Sequence, residues 1–206
     1  MLSARELNNK LWAYCLKDDA DLSAWLSALE PNKIQDSKAC TVAYIQHPSR
    51  AEYLFLYRNK KEGDINLGKY IGVGGKVEEG ETYADCNQRE IQEEVGFVVE
   101  EAECVGYVLF ANTLNWHEAQ WMAVYRVSSY SDAQGRPSTD LPTCSEGELE
   151  WLSMERFFEL PHWVGDECFL RPTLAGQRFG LWVLLYDEGK LKLRRQFDLP
   201  EEFYER

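Results

Sequence analysis

The sequence predicts one α/β domain with a helical extension at its N-terminus. Runs of β-branched and aromatic residues alternate with segments whose apolar residues recur at helical spacing, and this alternation is typical of an α/β domain. The 206 residues are the size of one ordinary domain, and 45% of hydrophobic residues is enough to build a packed core. We expect residues 1–40 to form the extension and residues 41–206 the domain.

The extension has the pattern of two short helices within residues 3–30. Ser3 and Glu6 have the spacing of a capping box, which predicts a helix start at this point. Apolar residues then recur at helical spacing in both segments: Leu7, Leu11, Tyr14 and Cys15, followed by Leu22, Trp25, Leu26 and Leu29. We expect these faces to pack on the domain or on a second subunit, so a homodimer is one expected arrangement. The extension would then contribute stability and leave the chemical step to the domain; a partner-binding arm is the alternative.

The elements of the domain follow in order along the chain. Composition predicts strands at residues 41–45, 53–57, 104–110 and 120–127. A helix is predicted at 83–95, and it is expected to stop at Gly96, a favourable C-terminal cap. Residues 131–145 are polar, carry two prolines and predict a surface loop. Shorter helices are predicted at 153–160 and at 169–178, where Pro172 interrupts the pattern, before a final hairpin of 183–186 and 190–194.

The charge and the cysteines exclude several classes of function. The formal net charge is −13, so the chain lacks the basic surface that binding a nucleic-acid polymer requires. A small polyphosphate bound through metal ions stays open. No apolar run approaches the roughly 18 residues of a membrane span, and the first residues lack the pattern of a signal peptide. Six cysteines without a C-x-x-C pair predict reduced thiols in the cytoplasm.

The predicted helix at 83–95 is unusually acidic. Glu90, Glu93 and Glu94 stand at positions i, i+3 and i+4, which places three carboxylates on one face. Like charges at this spacing cost about 0.2–0.5 kcal/mol per pair. Arg89 is placed to pair with Glu93. Oxygen ligands beside a glycine-rich loop suit Mg²⁺ or Mn²⁺, whereas a solvated acidic face is the alternative. A second, mostly apolar face is expected to lie on the sheet: Ala84, Gln88, Ile91 and Val95.

The spacing of this segment favours the metal site. Gly75 is followed after five residues by Glu81, and after seven more by the run Arg89–Phe97. This pattern matches the signature G-x5-E-x7-R-E-U-x-E-E-x-G-U, where U is a bulky apolar residue, at every specified position. The chain therefore resembles the Nudix hydrolases. The resemblance implies a three-layer α/β/α sandwich with a mixed sheet, and metal-dependent hydrolysis of a nucleoside diphosphate linked to another group.

The resemblance also implies roles for the residues of the box. It assigns Mg²⁺ or Mn²⁺ to four groups: the carboxylates of Glu90, Glu93 and Glu94 and the carbonyl of Gly75. Glu81 and Arg89 brace the loop and the helix. A divalent ion would neutralise phosphate charge and activate a water molecule, whose remaining proton a glutamate accepts. Glu94 is expected to be a ligand, and Glu93 a ligand, the base or both.

Within the family, the segment 72–82 is most similar to the MutT-like enzymes that hydrolyse oxidised purine nucleoside triphosphates to the monophosphate and pyrophosphate. Lys76 then matches a lysine near the phosphates, and Arg58 is a second phosphate candidate or a surface charge. The segment Ser145–Trp151 resembles the one that supplies a further metal ligand. That ligand would be Glu146, with Glu148 as the fallback and a plain acidic loop as the alternative.

The same likeness extends to a site for the base. Trp163 and Asp166 resemble a segment that reads the nucleobase, the tryptophan by stacking and the carboxyl by hydrogen bonding; Trp163 could instead be a core aromatic. Some members use an asparagine before the glycine loop, where this chain has Ile71, which cannot form side-chain hydrogen bonds. Strict selectivity for 8-oxo-dGTP is therefore not assumed.

Two alternative functions stay open. One is hydrolysis of another nucleoside diphosphate derivative, although marks expected of the ADP-ribose, NADH and diadenosine-polyphosphate branches are missing. The other is a regulatory protein that binds a nucleotide without hydrolysing it. The complete set of box glutamates favours an enzyme, with a small-molecule nucleotide as its partner.

Overall fold

The computed structural model describes residues 1–18, 37–112, 119–188 and 190–204 of the chain. The predicted second helix of the extension, with Leu22, Trp25, Leu26 and Leu29, lies outside these residues. The elements in chain order are α1 (Ala4–Asp18), β1 (Lys38–Ile45), β2 (Tyr53–Arg58), β3 (Tyr70–Ile71), α2 (Tyr83–Val95), β4 (Val98–Asn112), β5 (Gln120–Ser131), β6 (Gly147–Leu152), α3 (Met154–Phe158), α4 (Asp166–Leu174), β7 (Gly180–Asp187), β8 (Lys190–Phe197) and a 3-10 turn (Glu201–Phe203).

The strands of the described residues form two sheets. The larger sheet has the order β1-β5-β4-β7-β8, with β1 parallel to β5, β4 parallel to β7 and the remaining pairs antiparallel. The predicted mixed sheet is thus confirmed. A smaller antiparallel sheet has the order β3-β2-β6. Within the described part of the chain, no helix is both long and apolar enough to cross a membrane.

Helices cover both faces of the larger sheet because successive side chains of a strand point to opposite sides. On β1, Ala43 and Ile45 join the apolar cluster that includes α1 and α2. Their neighbours Val42 and Tyr44 join a second cluster with residues of α3, α4 and the smaller sheet. Each face of the sheet is therefore buried under its own layer.

The N-terminal helix is an integral part of the first cluster. Leu7, Leu11 and Cys15 of α1 are at most 3% exposed, which confirms the predicted apolar face at these positions. At its far end, the Tyr14 hydroxyl donates to the backbone carbonyl of Asp198 (2.9 Å). Helix α1 thus lies between the acidic helix and the C-terminal segment.

Several predicted elements need correction. Helix α2 begins and ends as predicted, and Gly96 adopts the left-handed conformation (φ 74°) that ends it. Its buried face was predicted wrongly in part. Gln88 is exposed, and the buried residues are Tyr83, Cys86, Asn87, Ile91 and Val95. The face is rotated because α1 covers the side of the helix that carries Tyr83, a contact that periodicity within α2 cannot reveal.

Other differences concern strands and short helices. The helix predicted at 169–178 instead spans Asp166–Leu174, and Pro172 lies in its last turn. Before this proline, Phe169 and Leu170 are buried in the second cluster. Strand β6 was not predicted, although the alternation of its exposed glutamates with Leu149 and Trp151 is typical of a strand. Strand β3, only two residues long, carries too little pattern for prediction.

If α1 is part of the domain core, removing its central apolar contact should destabilise the whole protein. Leu11 is fully buried, so Leu11→Ala should lower the free energy of unfolding by about 2–5 kcal/mol, through lost burial and the cavity that remains. The exposed neighbour Lys10→Ala should change it by less than about 0.5 kcal/mol. Urea unfolding of both variants measures this. Wild-type stability in Leu11→Ala would mean that α1 does not pack on the domain.

Candidate active site

The glycine loop is held beside β1 by backbone hydrogen bonds. Val73 and Ala43 exchange two of them (2.6 and 3.1 Å), and the N–H of Thr41 donates to the carbonyl of Gly75 (2.9 Å). The Cys86 thiol is a second, weaker donor to the same carbonyl oxygen (3.8 Å). Thr82 caps α2 by accepting from the N–H of Asp85 (3.1 Å). Loop and helix start are therefore fixed relative to the larger sheet.

Arg89 is the central contact between the loop and the helix. Its Nε and Nη2 atoms donate to the two carboxylate oxygens of Glu81 (2.9 and 3.0 Å), and Nη2 also donates to the carbonyl of Lys76 (2.9 Å). Its Nη1 atom reaches Glu90 (2.8 Å) and, more distantly, Glu93 (3.5 Å). The hydrogen bonds from Arg89 lower the pKa of Glu81, which therefore stays ionised. One guanidinium thus orients three carboxylates.

Two glycines allow the helix carboxylates to approach the loop. A side chain at Gly75 would collide with the carboxylate of Glu90. Gly74 donates its N–H to Glu94 Oε2 (3.1 Å) and adopts a φ of 149°, with the carbonyl of Thr41 where a Cβ would lie. The absence of side chains at these positions is what brings the box glutamates against the backbone.

A fourth carboxylate comes from the smaller sheet. The register of β2 and β6 pairs Arg58 with Gly147, so the preceding residue, Glu146, lies next to the Arg58 side chain and forms an ion pair with it. Arg58 is only 8% exposed and also contacts Asp64 Oδ2 through Nε (2.7 Å) and Nη2 (2.6 Å). The predicted phosphate-binding arginine is therefore a buried ion-pair partner in this structure.

The carboxylates influence one another. The pKa of Glu94 is raised to about 8, mainly by burial and also by the negative charges of Glu146 and Glu90. The hydrogen bond from the Gly74 N–H and the positive charge of Arg58 oppose this rise. The fallback Glu148 is exposed and accepts a hydrogen bond from Asn59 (2.9 Å). Of these two carboxylates, Glu146 is thus the one whose charge acts on Glu94 of the helix.

The donor set fits a hard divalent cation. In the ranges that the structure describes, no group of three or more His, Cys, Asp or Glu side chains stands ready in metal-binding geometry. Nevertheless, Glu94 lies against the loop backbone at Gly74, and the negative charges of Glu90 and Glu146 act on it. A divalent cation would relieve the repulsion between these carboxylates. Glu93, 61% exposed, and Lys76 extend towards solvent beside them.

The candidate base site lies at the start of α4. The backbone N–H of Trp163 donates to the carboxylate of Asp166 (3.3 Å), and its indole Nε1 donates to Asn66 Oδ1 (2.8 Å). The ammonium of Lys69 lies over the indole ring (4.2 Å to its centroid). Asp166 is 6% exposed, and burial raises its pKa to about 7, against the opposing effect of the Trp163 N–H. Trp163 is half-buried, so it is not simply a core aromatic.

Sequence reasoning missed two residues of the site. Asp64 and Asn66 lie in the charged loop after β2, where Asp64 accepts from the Asn66 N–H (3.0 Å) and binds Arg58, while Asn66 binds Trp163. The loop therefore links the candidate metal ligand Glu146 to the candidate base-binding tryptophan. The Asp-x-Asn spacing, typical of an Asx turn, was the available signal, but it says nothing about the distant partners.

Comparison with known proteins agrees with this geometry. A family model described as the NUDIX domain matches residues 37–171. The chain belongs to the Nudix family. It is similar to the oxidized purine nucleoside triphosphate hydrolase of Mus musculus, with 38% identity over 143 residues, which are 69% of this chain and 83% of the mouse protein. The Danio rerio protein of the same name is 27% identical over the same shares of both chains.

A solved structure of this family supports the fold. The MutT protein from Bacillus halodurans superposes with a TM-score of 0.61 and 22% identity, over 77% of this chain and 96% of that protein. The predicted Nudix fold and the resemblance to MutT-like Nudix hydrolases are confirmed. The Nudix match includes the glycine loop, α2, β6 and the segment of Trp163, and it leaves α1 outside.

The raised pKa of Glu94 predicts a pH-dependent effect on stability. Between pH 4.5 and about 8, the folded protein keeps a proton that the unfolded chain releases, so this group lowers stability as pH rises. In metal-free protein, Glu94→Gln should therefore raise the melting temperature at pH 9 and leave it nearly unchanged at pH 4. The Gln oxygen can still accept from Gly74.

Thermal melts in a chelator across this range measure the effect, with the exposed loop variant Glu79→Gln as the control. The control should follow wild type at every pH. A lower melting temperature of Glu94→Gln at pH 9 would show instead that the ionised carboxylate is a structural partner.

Proposed function

We propose that the protein hydrolyses a nucleoside triphosphate to the monophosphate and pyrophosphate in a reaction that depends on Mg²⁺ or Mn²⁺. The observation that carries this proposal is the convergence on Glu94 of Glu90, Glu146 and the glycine loop, with Arg89 bracing the set. A solvated acidic helix would not bury one of its glutamates against a loop backbone.

In this proposal, the cation is held by oxygen atoms from three elements: Glu90 and Glu94 of α2, with Glu93 beside them, Glu146 before β6, and the Gly75 carbonyl. When bound, the ion supplies charge neutralisation at the phosphates and a water molecule activated for attack. Glu93 is the most suitable proton acceptor, because its side chain is 61% exposed and Arg89 holds it only loosely. Arg89 keeps Glu90 and Glu81 in place during turnover.

Two cations would bind the phosphate chain. The Lys76 side chain is exposed at the glycine loop, so it is free to turn towards a bound phosphate. Arg58 is oriented by Asp64, so it would keep its position if Glu146 bound a metal ion instead. Its Nη1 atom would then donate to a phosphate oxygen. Asp64 thus fixes the arginine in either state.

The substrate class that we favour is a purine nucleoside triphosphate of the 8-oxo-dGTP type. Trp163 offers a ring for stacking, and Asp166 offers a carboxyl for the edge of the base. The similar mouse and zebrafish proteins are named oxidized purine nucleoside triphosphate hydrolases, which supports this choice. Because Ile71 cannot read the base, we expect broader selectivity than that of a strict 8-oxo-dGTP enzyme. The six cysteines, all among the described residues, form no disulfide, in keeping with a cytoplasmic enzyme.

The first test concerns the chemistry. Pyrophosphate release from 8-oxo-dGTP, dGTP, dATP and dCTP should require Mg²⁺ or Mn²⁺, and Glu93→Gln or Glu94→Gln should lower kcat by a factor on the order of 10² or more. Glu79→Gln changes an exposed loop acid at an unspecified position of the box and should retain wild-type kcat. Tight nucleotide binding without turnover in the wild type would favour the regulatory alternative, and full activity of both box variants would remove these glutamates from the mechanism.

The second test concerns the base. Stacking is worth about 1–3 kcal/mol, so Trp163→Ala should raise KM about tenfold for every base, since each base has a π-face. Asp166 can donate a hydrogen bond below about pH 7 and only accept above it. The ranking of substrates by kcat/KM should therefore change between pH 6 and pH 8 in wild type, and Asp166→Asn should abolish that change. Unaltered values in both variants would place the base elsewhere.

A further inference from the structure

We infer that α1 is a positioning element for the glycine loop, acting through Asn8 and Ala4, although it lies outside the Nudix match. This inference rests on the proposed function of the loop and names two positioning residues for it. The sequence alone suggested an extension that contributes only stability. The contacts of α1 point to a more specific role, because they end on the loop and on the first residue of the box helix.

Two hydrogen bonds join α1 to the box. The backbone N–H of Ala4 donates to the carbonyl of Glu81 (3.1 Å), and the Tyr83 hydroxyl donates to Asn8 Oδ1 (2.7 Å). Glu81 and Tyr83 flank Thr82, the N-cap of α2. The first two turns of α1 therefore hold both sides of the point where the loop becomes the helix.

The residues that form these bonds lie mostly in the protein interior. Ala4 and Asn8 are each 2% exposed, and Tyr83 is fully buried. Breaking a hydrogen bond between buried groups costs free energy, so this pair favours one arrangement of α1 on α2. A polar pair inside an otherwise apolar contact also fixes one register of α1 on α2, since sliding either helix would separate the two groups.

Helix α1 is itself held at both ends. The Ser3 N–H and hydroxyl donate to Glu6 Oε2 (2.8 and 2.9 Å), which forms the predicted capping box. At the other end, Tyr14 donates to the Asp198 carbonyl and packs edge-on against Phe203 (5.3 Å between ring centroids). A helix fixed at both ends in this way can hold the loop in one position.

The contact is transmitted to the carboxylates in two steps. The residue whose carbonyl accepts from Ala4 is Glu81, and its carboxylate accepts both hydrogen bonds of the Arg89 fork. Arg89 in turn donates to Glu90. A shift of Glu81 therefore moves the arginine that orients Glu90. The base site is held by other elements, since Trp163 contacts Asn66 and Lys69. Loss of the α1 contacts should thus lower kcat more than it raises KM, to which Lys76 of the loop contributes.

The experiment compares Asn8→Ala with Tyr14→Phe. Both remove one hydrogen bond of α1, the first at the loop end and the second at the far end. Asn8→Ala should lower kcat about 10-fold or more, with a smaller change in KM. It should also weaken Mn²⁺ binding several-fold and speed amide exchange in residues 76–82 about tenfold. Tyr14→Phe should lower the melting temperature without changing kcat, Mn²⁺ affinity or loop exchange.

A double-mutant cycle with Tyr83→Phe identifies the bond itself. If the Asn8–Tyr83 pair is responsible, the double variant should show no larger loss of Mn²⁺ affinity than either single variant. Additive losses would overturn the assignment of the effect to this bond. Ala4→Pro gives a second route, because proline is tolerated at the first position of a helix but has no N–H for Glu81. It should speed loop exchange as Asn8→Ala does.

The outcomes separate this inference from the proposed function. If wild type hydrolyses no nucleotide, the proposed function fails, while loop exchange and Mn²⁺ affinity still test the role of α1. If wild type is active but Asn8→Ala and Ala4→Pro change only the melting temperature, as Tyr14→Phe does, α1 is a stabilising element alone and the inference is wrong.

Discussion

The Arg89 guanidinium is the contact on which the candidate site depends. It joins the loop to the helix through Glu81, and it provides the positive charge that lets Glu90 and Glu93 share one helix face. Without a cation at this position, three carboxylates at helical spacing would repel one another, and the loop would have no fixed distance from α2. The planar fork matters here, because a single ammonium could not engage both oxygens of Glu81 and still reach Glu90.

The remaining carboxylates stay under-compensated. Arg58 forms ion pairs with both Glu146 and Asp64, so its charge is shared between them. Glu94 accepts a backbone N–H and has no ion-pair partner among the described residues. The raised pKa of Glu94 expresses this imbalance. Unpaired carboxylates at the site lower the stability of the folded, metal-free protein. The same carboxylates favour binding of a divalent ion, which would stabilise the fold.

The sheets decide where these charges meet. The larger sheet holds the glycine loop along β1, and the smaller sheet brings Glu146 to Arg58 through the register of β2 with β6. Gly147 permits that register because its missing side chain allows close approach to the backbone of Tyr57. Helix α1 closes the arrangement from the other side. The site therefore draws on three separate parts of the fold.

Local spacing determined much of this protein. The 23-residue box was enough to predict the helix at 83–95, its glycine cap and the candidate site residues within it. Capping, helical periodicity and signature spacing all relate residues that are close in sequence. Only the tertiary structure decided the partners of those residues. Glu146 beside Arg58, Asn66 beside Trp163 and Asn8 beside Tyr83 are pairs separated by 75 to 97 residues. Such pairs depend on sheet register and helix packing, in which a shift of one residue turns a side chain to the opposite face, and no local pattern records that choice.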